Sequence, residues 1–367
     1  MSSVDSPAPA LKEIFNRERL RHIAEQTAAV YPAFARKRFL NLASAGLDEL
    51  SIMQRLARVS DSLHATLPDD FPTALGILEQ LAPRLNSAFV SMCLPHFVAS
   101  HGREHFQLSM QALKYFTTFG SSEFAIRPFL LHDCERTLAQ MTAWAEDDNE
   151  HVRRLASEGC RPRLPWSFRL PRMQAEPQLA WPILETLKAD PSLYVRKSVA
   201  NHLNDISKDH PALLLERLEG WALDDPRTKW IVRHALRSLI KQGDRRALAL
   251  LGAGEPAQVE VQALQVAPGE LRLGQSMSLS FTLKSTSEQS QRLVVDYAID
   301  YVKASGKSAS KVFKLKTLDL PAGASVTLSR SQQIRELTTR KHYYGHHAVH
   351  LLVNGERLGS SGFDLVP

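Results

Sequence analysis

Three stretches of the chain align without gaps: Val152-Arg-Arg-Leu-Ala-Ser-Glu158, Val195-Arg-Lys-Ser-Val-Ala-Asn201 and Val232-Arg-His-Ala-Leu-Arg-Ser238. Their starting valines lie 43 and 37 residues apart, and an aspartate precedes each (Asp147, Asp190 and Asp225). An aspartate followed by Val-Arg at this period is the mark of stacked helical hairpins of the HEAT type. One such hairpin cannot bury its apolar face alone, so neighbours must stack into a curved solenoid with an extended concave surface. Glu123-Phe-Ala-Ile-Arg127 is a candidate degenerate earlier copy.

The surrounding pattern agrees. From Leu11 to about Leu251 apolar residues recur at helical spacing, as in Leu50, Met53, Leu56, Ala57 and Ser60. Pro68, Pro72, Pro83 and Pro95 fall between or at the starts of such segments, where proline is tolerated. Leu251-Gly-Ala-Gly-Glu-Pro256 then reads as a linker. Beyond it the period changes to two, in Val259–Val266, Ser276–Leu283, Leu293–Tyr301, Lys311–Leu318, Ser325–Ser331 and His346–Val353. Turn signals such as Pro268-Gly269 and Asn354-Gly355 separate them. About seven short strands in roughly 110 residues predict an immunoglobulin-like β-sandwich, with Tyr343 or Tyr344 as a candidate tyrosine corner. The expected organisation is therefore mainly α: a HEAT-like α-α superhelical solenoid over 1–253, a linker over 254–258, and an immunoglobulin-like β-sandwich over 259–367.

Composition limits the partners. No apolar run approaches bilayer length, and the polar, proline-bearing start from Met1 to Ala10 does not resemble a secretion signal. Cys93, Cys134 and Cys160 are scattered and form no ligand cluster, which predicts a reducing, cytoplasmic setting without disulfides or structural zinc. Net charge is +6. Basic residues outnumber acidic ones by 32 to 29 up to residue 253 and by 13 to 10 beyond it. A nucleic-acid face must therefore come from the placement of charges rather than their number.

Several enzyme classes are set aside, because the chain has no HExxH, GxSxG, Walker loop, GxGxxG or paired CxxC. His342, His346, His347 and His350 cluster late in the chain, but strand alternation sends His347 to the face opposite His346 and His350, which predicts no metal site. Arg153, Arg196 and Arg233 have two roles open to them: an inter-repeat ladder to the repeat aspartates, or contact with DNA. Arg154, Arg161, Arg163 and Lys197 have no such ladder partner in the repeat pattern and are candidates for phosphate contact, against an ordinary solvated face. Arg154, Glu158 and Arg161 share one helical stripe, continued by Lys197 and Asn201 and then by His234 and Ser238. Taken alone, Glu123 and Glu158 read as exposed or paired helix glutamates, and Trp166 after Pro165 reads as a packing anchor.

Three longer phrases change that balance: Arg153-Arg-Leu-Ala-Ser-Glu-Gly-Cys-Arg-Pro-Arg-Leu-Pro-Trp166, Ser121-Ser-Glu-Phe-Ala-Ile-Arg-Pro128, and Val195 to Pro211. With them the chain resembles the AlkC branch of the AlkC/AlkD bacterial alkylation-repair DNA glycosylases, over most of the helical region. Some AlkC members also carry a C-terminal immunoglobulin-like domain. The resemblance implies a monomeric base-excision enzyme on double-stranded DNA. It would remove cationic 3-methyladenine and 3-methylcytosine without metal, cofactor or deep base-flipping pocket. It also implies catalytic carboxylates at Glu123 and Glu158 and an aromatic lesion contact at Trp166. The DNA face would take in Arg153, Arg154, Arg161, Arg163, Lys197 and Asn201. Arg340, Lys341, His342, Tyr344 and His346 mix cations and aromatics at a loop-to-strand junction, read either as a DNA grip closing a clamp or as a packed turn. The rival to the enzyme is a non-catalytic helical scaffold with an immunoglobulin-like arm that binds protein or DNA.

Overall fold

The computed structural model describes residues 10–336 and 341–367. Contacts divide the chain into two compact units. One runs to Asp209 and includes Asp224–Ile231; the other comprises His210–Leu223 and Val232–Pro367. No helix among the described residues is long and apolar enough to cross a membrane.

The first unit is helical throughout its regular structure. The repeat phrases become the helices Glu150–Gly159 and Leu193–Ile206, which pack against each other. Asn149 caps the first by accepting the His151 amide at 2.9 Å, a common way to satisfy an exposed helix start. Val152, Leu155, Ala156 and Gly159 are buried along one face of it, and Val195, Val199, Leu203 and Ile206 along one face of the second. Gly159 is required by packing. A Cβ there would lie 2.4 Å from Cγ2 of Ile126 and 3.2 Å from Cε of Met141.

The Val-Arg ladder forms as the repeat pattern expects between these helices. Arg153 donates Nε to Asp190 Oδ2 at 2.7 Å and Nη2 to Oδ1 at 3.2 Å, and Nη1 reaches the carbonyls of Asp147 and Asp148. Arg196 repeats the backbone half of this pattern on the carbonyls of Asp190 and Pro191. The third phrase lies across the helix Pro226–Ala235, where Ile231, Val232 and Ala235 are buried.

Among the described residues the second unit has eight strands, β1 (Val259–Ala267), β2 (Glu270–Arg272), β3 (Ser276–Ser285), β4 (Gln291–Val302), β5 (Ser308–Leu320), β6 (Ser325–Gln333), β7 (Gly345–Val353) and β8 (Glu356–Val366). They form a three-stranded sheet, β1-β3-β6, and a five-stranded sheet, β2-β8-β7-β4-β5, in which only the β2–β8 pairing is parallel. Met277, Leu279, Phe281 and Leu283 of β3 meet Tyr297, Ile299, Leu351 and Phe363 of the other sheet in one core, the packing of a β-sandwich. The period-two reading finds β1 and β3 to β7; burial alternates cleanly in β3, whereas Leu293–Ile299 of β4 are buried on both faces. The period does not reveal β2, which is too short, or β8, where Gly359 and Gly362 interrupt the apolar alternation. Asn354 (φ 46°) and Gly355 (φ 80°) make the tight β7–β8 turn, for which an Asn-Gly pair is suited. The tyrosine-corner expectation is corrected: Tyr343 and Tyr344 are both exposed rather than packed into the sandwich.

Candidate DNA-repair site

Glu158 does not sit on a solvated face. It is 6% exposed, near the C-terminal end of its helix, and both carboxylate oxygens are engaged. Arg161 donates to Oε1 at 2.7 Å, Arg154 reaches the same oxygen at 3.4 Å, and the Ser198 hydroxyl donates to Oε2 at 2.6 Å. Arg154 also pairs with Glu123, so one guanidinium bridges the two carboxylates. Ser121 completes the link, accepting from Arg154 Nη1 at 2.7 Å and donating to Glu123 Oε2 at 3.1 Å. The guanidinium lies over the Tyr194 ring at 5.1 Å. Burial is the main reason the Tyr194 phenol is pushed above its usual range.

Arg154 makes the i, i+4 pair with Glu158 that helical spacing allows, whereas Arg161 and Arg163, expected on a phosphate-facing or solvated surface, meet acids outside the repeat pattern. Arg161 spans Glu158 and Asp205, with Nε 2.9 Å from Asp205 Oδ2. Arg163 holds Asp209 through two hydrogen bonds, of 2.9 and 2.6 Å. Folding places these acids, from the next helix and the turn after it, opposite the loop; the repeat alignment compares positions and carries no such pairing. A buried guanidinium between carboxylates fixes their geometry, whereas the half-exposed Arg163–Asp209 pair contributes little stability and can exchange partners readily. Lys197 is exposed and Asn201 half-buried on the Leu193–Ile206 helix.

Trp166 lies in the loop after the Glu150–Gly159 helix, 63% exposed, with φ at 64°. A left-handed tryptophan costs on the order of 1–3 kcal/mol and persists only where its surroundings impose it. Arg127 supplies that constraint. Fully buried, it donates Nη1 to the carbonyls of Gly159 (3.0 Å) and Arg161 (2.8 Å) and Nη2 to the carbonyl of Phe168. One guanidinium thus ties the helix end and both sides of the loop. Burial pushes its pKa down to about 10, which still leaves it charged at neutral pH. The indole meets Phe89 edge-on at 6.4 Å and, with Phe168, Phe124 and Ser121, borders a mainly apolar cleft of about 270 Å³.

Sequence reasoning left Arg127 and Ser198 without roles. Arg127 lies inside the Ser121–Pro128 phrase and gives no signal of its own. Ser198 did give one: it occupies the register position held by Leu155 and Ala235 in the other repeats, where an apolar residue belongs. A hydroxyl at a core position needs a buried partner, and Glu158 is that partner.

In the second unit Arg340 lies outside the described residues. Lys341 and Tyr344 are exposed, His342 is half-buried with its ring 5.2 Å from that of Tyr301, and His346 bonds Asp364 at 3.1 Å. His347 is buried on the core side of β7, while His350 on the other face contacts Ser360 and Asp300. The four histidines do not converge, and no group of three metal-ligating side chains occurs among the described residues.

A family model described as "DNA alkylation repair enzyme" matches residues 97–239, and one for the C-terminal immunoglobulin-like domain of the protein YhaZ matches 260–367. The YhaZ protein of Bacillus subtilis (strain 168) is 43% identical over 356 residues, covering 97% of this chain and 99% of its own length. A solved structure described as Pseudomonas fluorescens alkylpurine DNA glycosylase AlkC bound to DNA containing an abasic site analog is 66% identical. It superposes with a TM-score of 0.96 over 98% of this chain and 100% of its own.

Proposed function

Because this chain belongs to the AlkC branch of the DNA alkylation repair enzymes, we propose that it is a DNA glycosylase of base-excision repair. In this reading it hydrolyses the N-glycosidic bond of cationic N3-alkylated bases, 3-methyladenine and 3-methylcytosine, in double-stranded DNA. The similarity to an alkylpurine glycosylase supports the reaction class. The observation that supports the assignment within this chain is the pair Glu123 and Glu158, bridged by Arg154, whose partner Ser121 lines the cleft that the exposed Trp166 also lines.

A base methylated at N3 already carries positive charge, so it departs without an added proton. As the C1′–N bond lengthens, its electron pair moves onto the base and neutralises that charge, while positive charge builds on the deoxyribose. Fixed carboxylates beside the sugar stabilise this oxocarbenium-like state far better than water, whose dipoles must reorganise. A water oxygen then bonds to C1′, and a carboxylate accepts its proton. The indole face of Trp166 attracts the cationic sugar or base. Arg161, Ser198 and Arg154 keep Glu158 in one rotamer, so no reorganisation is needed at the reacting step. Lys197 and Arg163 are assigned to phosphates, with Arg163 exchanging Asp209 for the backbone. Lys341, His342, Tyr344 and His346 are assigned to the same duplex, and their alanine variants are expected to weaken binding in a titration against unmodified duplex. The enzyme works as a cytoplasmic monomer, and no step needs a metal or cofactor.

Incubation with methylated duplex DNA, followed by chromatography of the released bases, tests the activity. Release of 3-methyladenine and 3-methylcytosine is expected. Release of neither would leave the non-catalytic scaffold as the reading. Glu158→Gln removes the charge and keeps the shape; it should slow release by about 10²-fold or more with duplex affinity near normal. An unchanged rate removes Glu158 from the site.

A further inference from the structure

The second unit contains a cleft of about 230 Å³ that takes no part in the carboxylate chemistry. Arg233, His234, Arg237 and Lys241 enter it from the helices Pro226–Ala235 and Arg237–Lys241, and Lys314 enters it from β5. We propose that this cleft binds a backbone phosphodiester of double-stranded DNA. The inference rests on the DNA-repair reading above and adds a contact outside its site residues.

Charge is the first support. Two arginines and two lysines line the cleft with a single acid, Asp296, and no other carboxylate lines it. Asp296 is buried, and burial pushes its carboxyl up to about 6 despite the opposing pull of Lys314 and Lys241. The residue paired with it across β7 is Leu352, which is uncharged. The Lys314 ammonium is pushed below its usual range, first by burial and then by the like charge of Arg233. Cations that repel one another in a partly desolvated cleft are relieved by an incoming anion.

Shape and sequence register agree. The cleft holds no Trp, Tyr or Phe on which a base could stack, so it suits a phosphate and not a nucleobase. The Arg233 guanidinium offers the forked donor geometry matched to phosphate oxygens. On the cleft wall, Thr317 Oγ1 is buried without a hydrogen-bond partner. Arg233 and His234 occupy the repeat positions of Arg153–Arg154 and Arg196–Lys197. The Val-Arg cation of the first two repeats therefore recurs here as Arg233.

Lys241 and Lys314 are exposed, so Lys241→Gln and Lys314→Gln remove charge without opening a core. Binding to unmodified duplex, titrated against salt, reads the contact independently of base release. The double variant is expected to flatten the log K against log salt slope by about two units, and each single variant by about one. Lys284→Gln, on a strand remote from the cleft lining, controls for the loss of any one charge. A double variant whose slope matches Lys284→Gln overturns the proposal. So does an unchanged slope with inorganic phosphate raising the melting temperature of the wild type and not of the double variant, because the cleft then takes a free anion. Wild-type protein that fails to bind duplex at any salt defeats the DNA-repair reading itself, a result distinct from either of these.

Discussion

At the scale of single residues, the candidate site is a problem of holding two acids still. Glu123 and Glu158 are tied by one arginine, and the hydroxyl of Ser198 fixes the second oxygen of Glu158. Ser198 is thus a positioning residue. A hydrogen bond to a charged group contributes roughly 1.5–3 kcal/mol. Ser198→Ala is expected to lower the single-turnover excision rate about tenfold or more while duplex affinity stays within a factor of two. Ser198→Thr, which keeps the hydroxyl, should restore most of the rate. If Ser198→Ala weakened binding and left the rate untouched, its contact with Glu158 would serve folding only. The glutamates are plainly visible in the sequence. Their burial is not, because an alignment of repeats compares positions and not the loop that folds over them.

At the scale of elements, the Glu150–Gly159 helix is a repeat helix adapted at its C-terminal end. Val152, Leu155 and Ala156 do what their counterparts do in the next repeat, and Arg153 makes the ladder to Asp190. Glu158, Gly159 and the Arg127-clamped loop have no counterparts there. Gly159 lets the helix approach Ile126, in the segment that carries Glu123. Gly159→Ala inserts a methyl 2.4 Å from Ile126 Cγ2 and is expected to cost about 1–3 kcal/mol of stability. Ile126→Ala on that background should recover part of the loss, measured by denaturant midpoints. A destabilisation no smaller in the pair than the sum of the two single changes would place the strain elsewhere. The repeat period made the helix and its apolar face legible. The special end of the helix was legible only as a departure from the repeat, since its contacts come from residues 121–127 and 198–209.

At the scale of the whole molecule, stability is tied to protons through His202. Its ring is fully buried, with Nδ1 3.0 Å from the Ser157 carbonyl and Nε2 without a hydrogen-bond partner. Burial pushes its pKa down to about 4. Between pH 4 and about 6.5 the unfolded chain binds the proton and the folded chain does not, so stability rises with pH across that window. The contribution is complete above about 6.5 and is lost as the pH falls through 4. His202→Met, similar in bulk and unable to titrate, should flatten this limb of the urea-midpoint profile. Parallel profiles for the two proteins between pH 4 and 6.5 would show that His202 is not the group responsible. The sequence placed this histidine on a repeat helix without indicating that the ring would be sealed beneath the Glu150–Gly159 helix.

The sequence by itself determined the two architectures, because periodicity is a local property: 3.6 residues per turn over the helical region, two over the strands. It also carried the family, because whole phrases such as Arg153 to Trp166 survive as strings. Tertiary structure decided which charges come together. Arg154, Arg161 and Arg163 found acids that lie 31 to 46 residues away in the chain. Arg233, Arg237, Lys241 and Lys314 share a cleft with one. A charge is felt over a few ångströms in space whatever the separation along the chain, and only folding sets that distance.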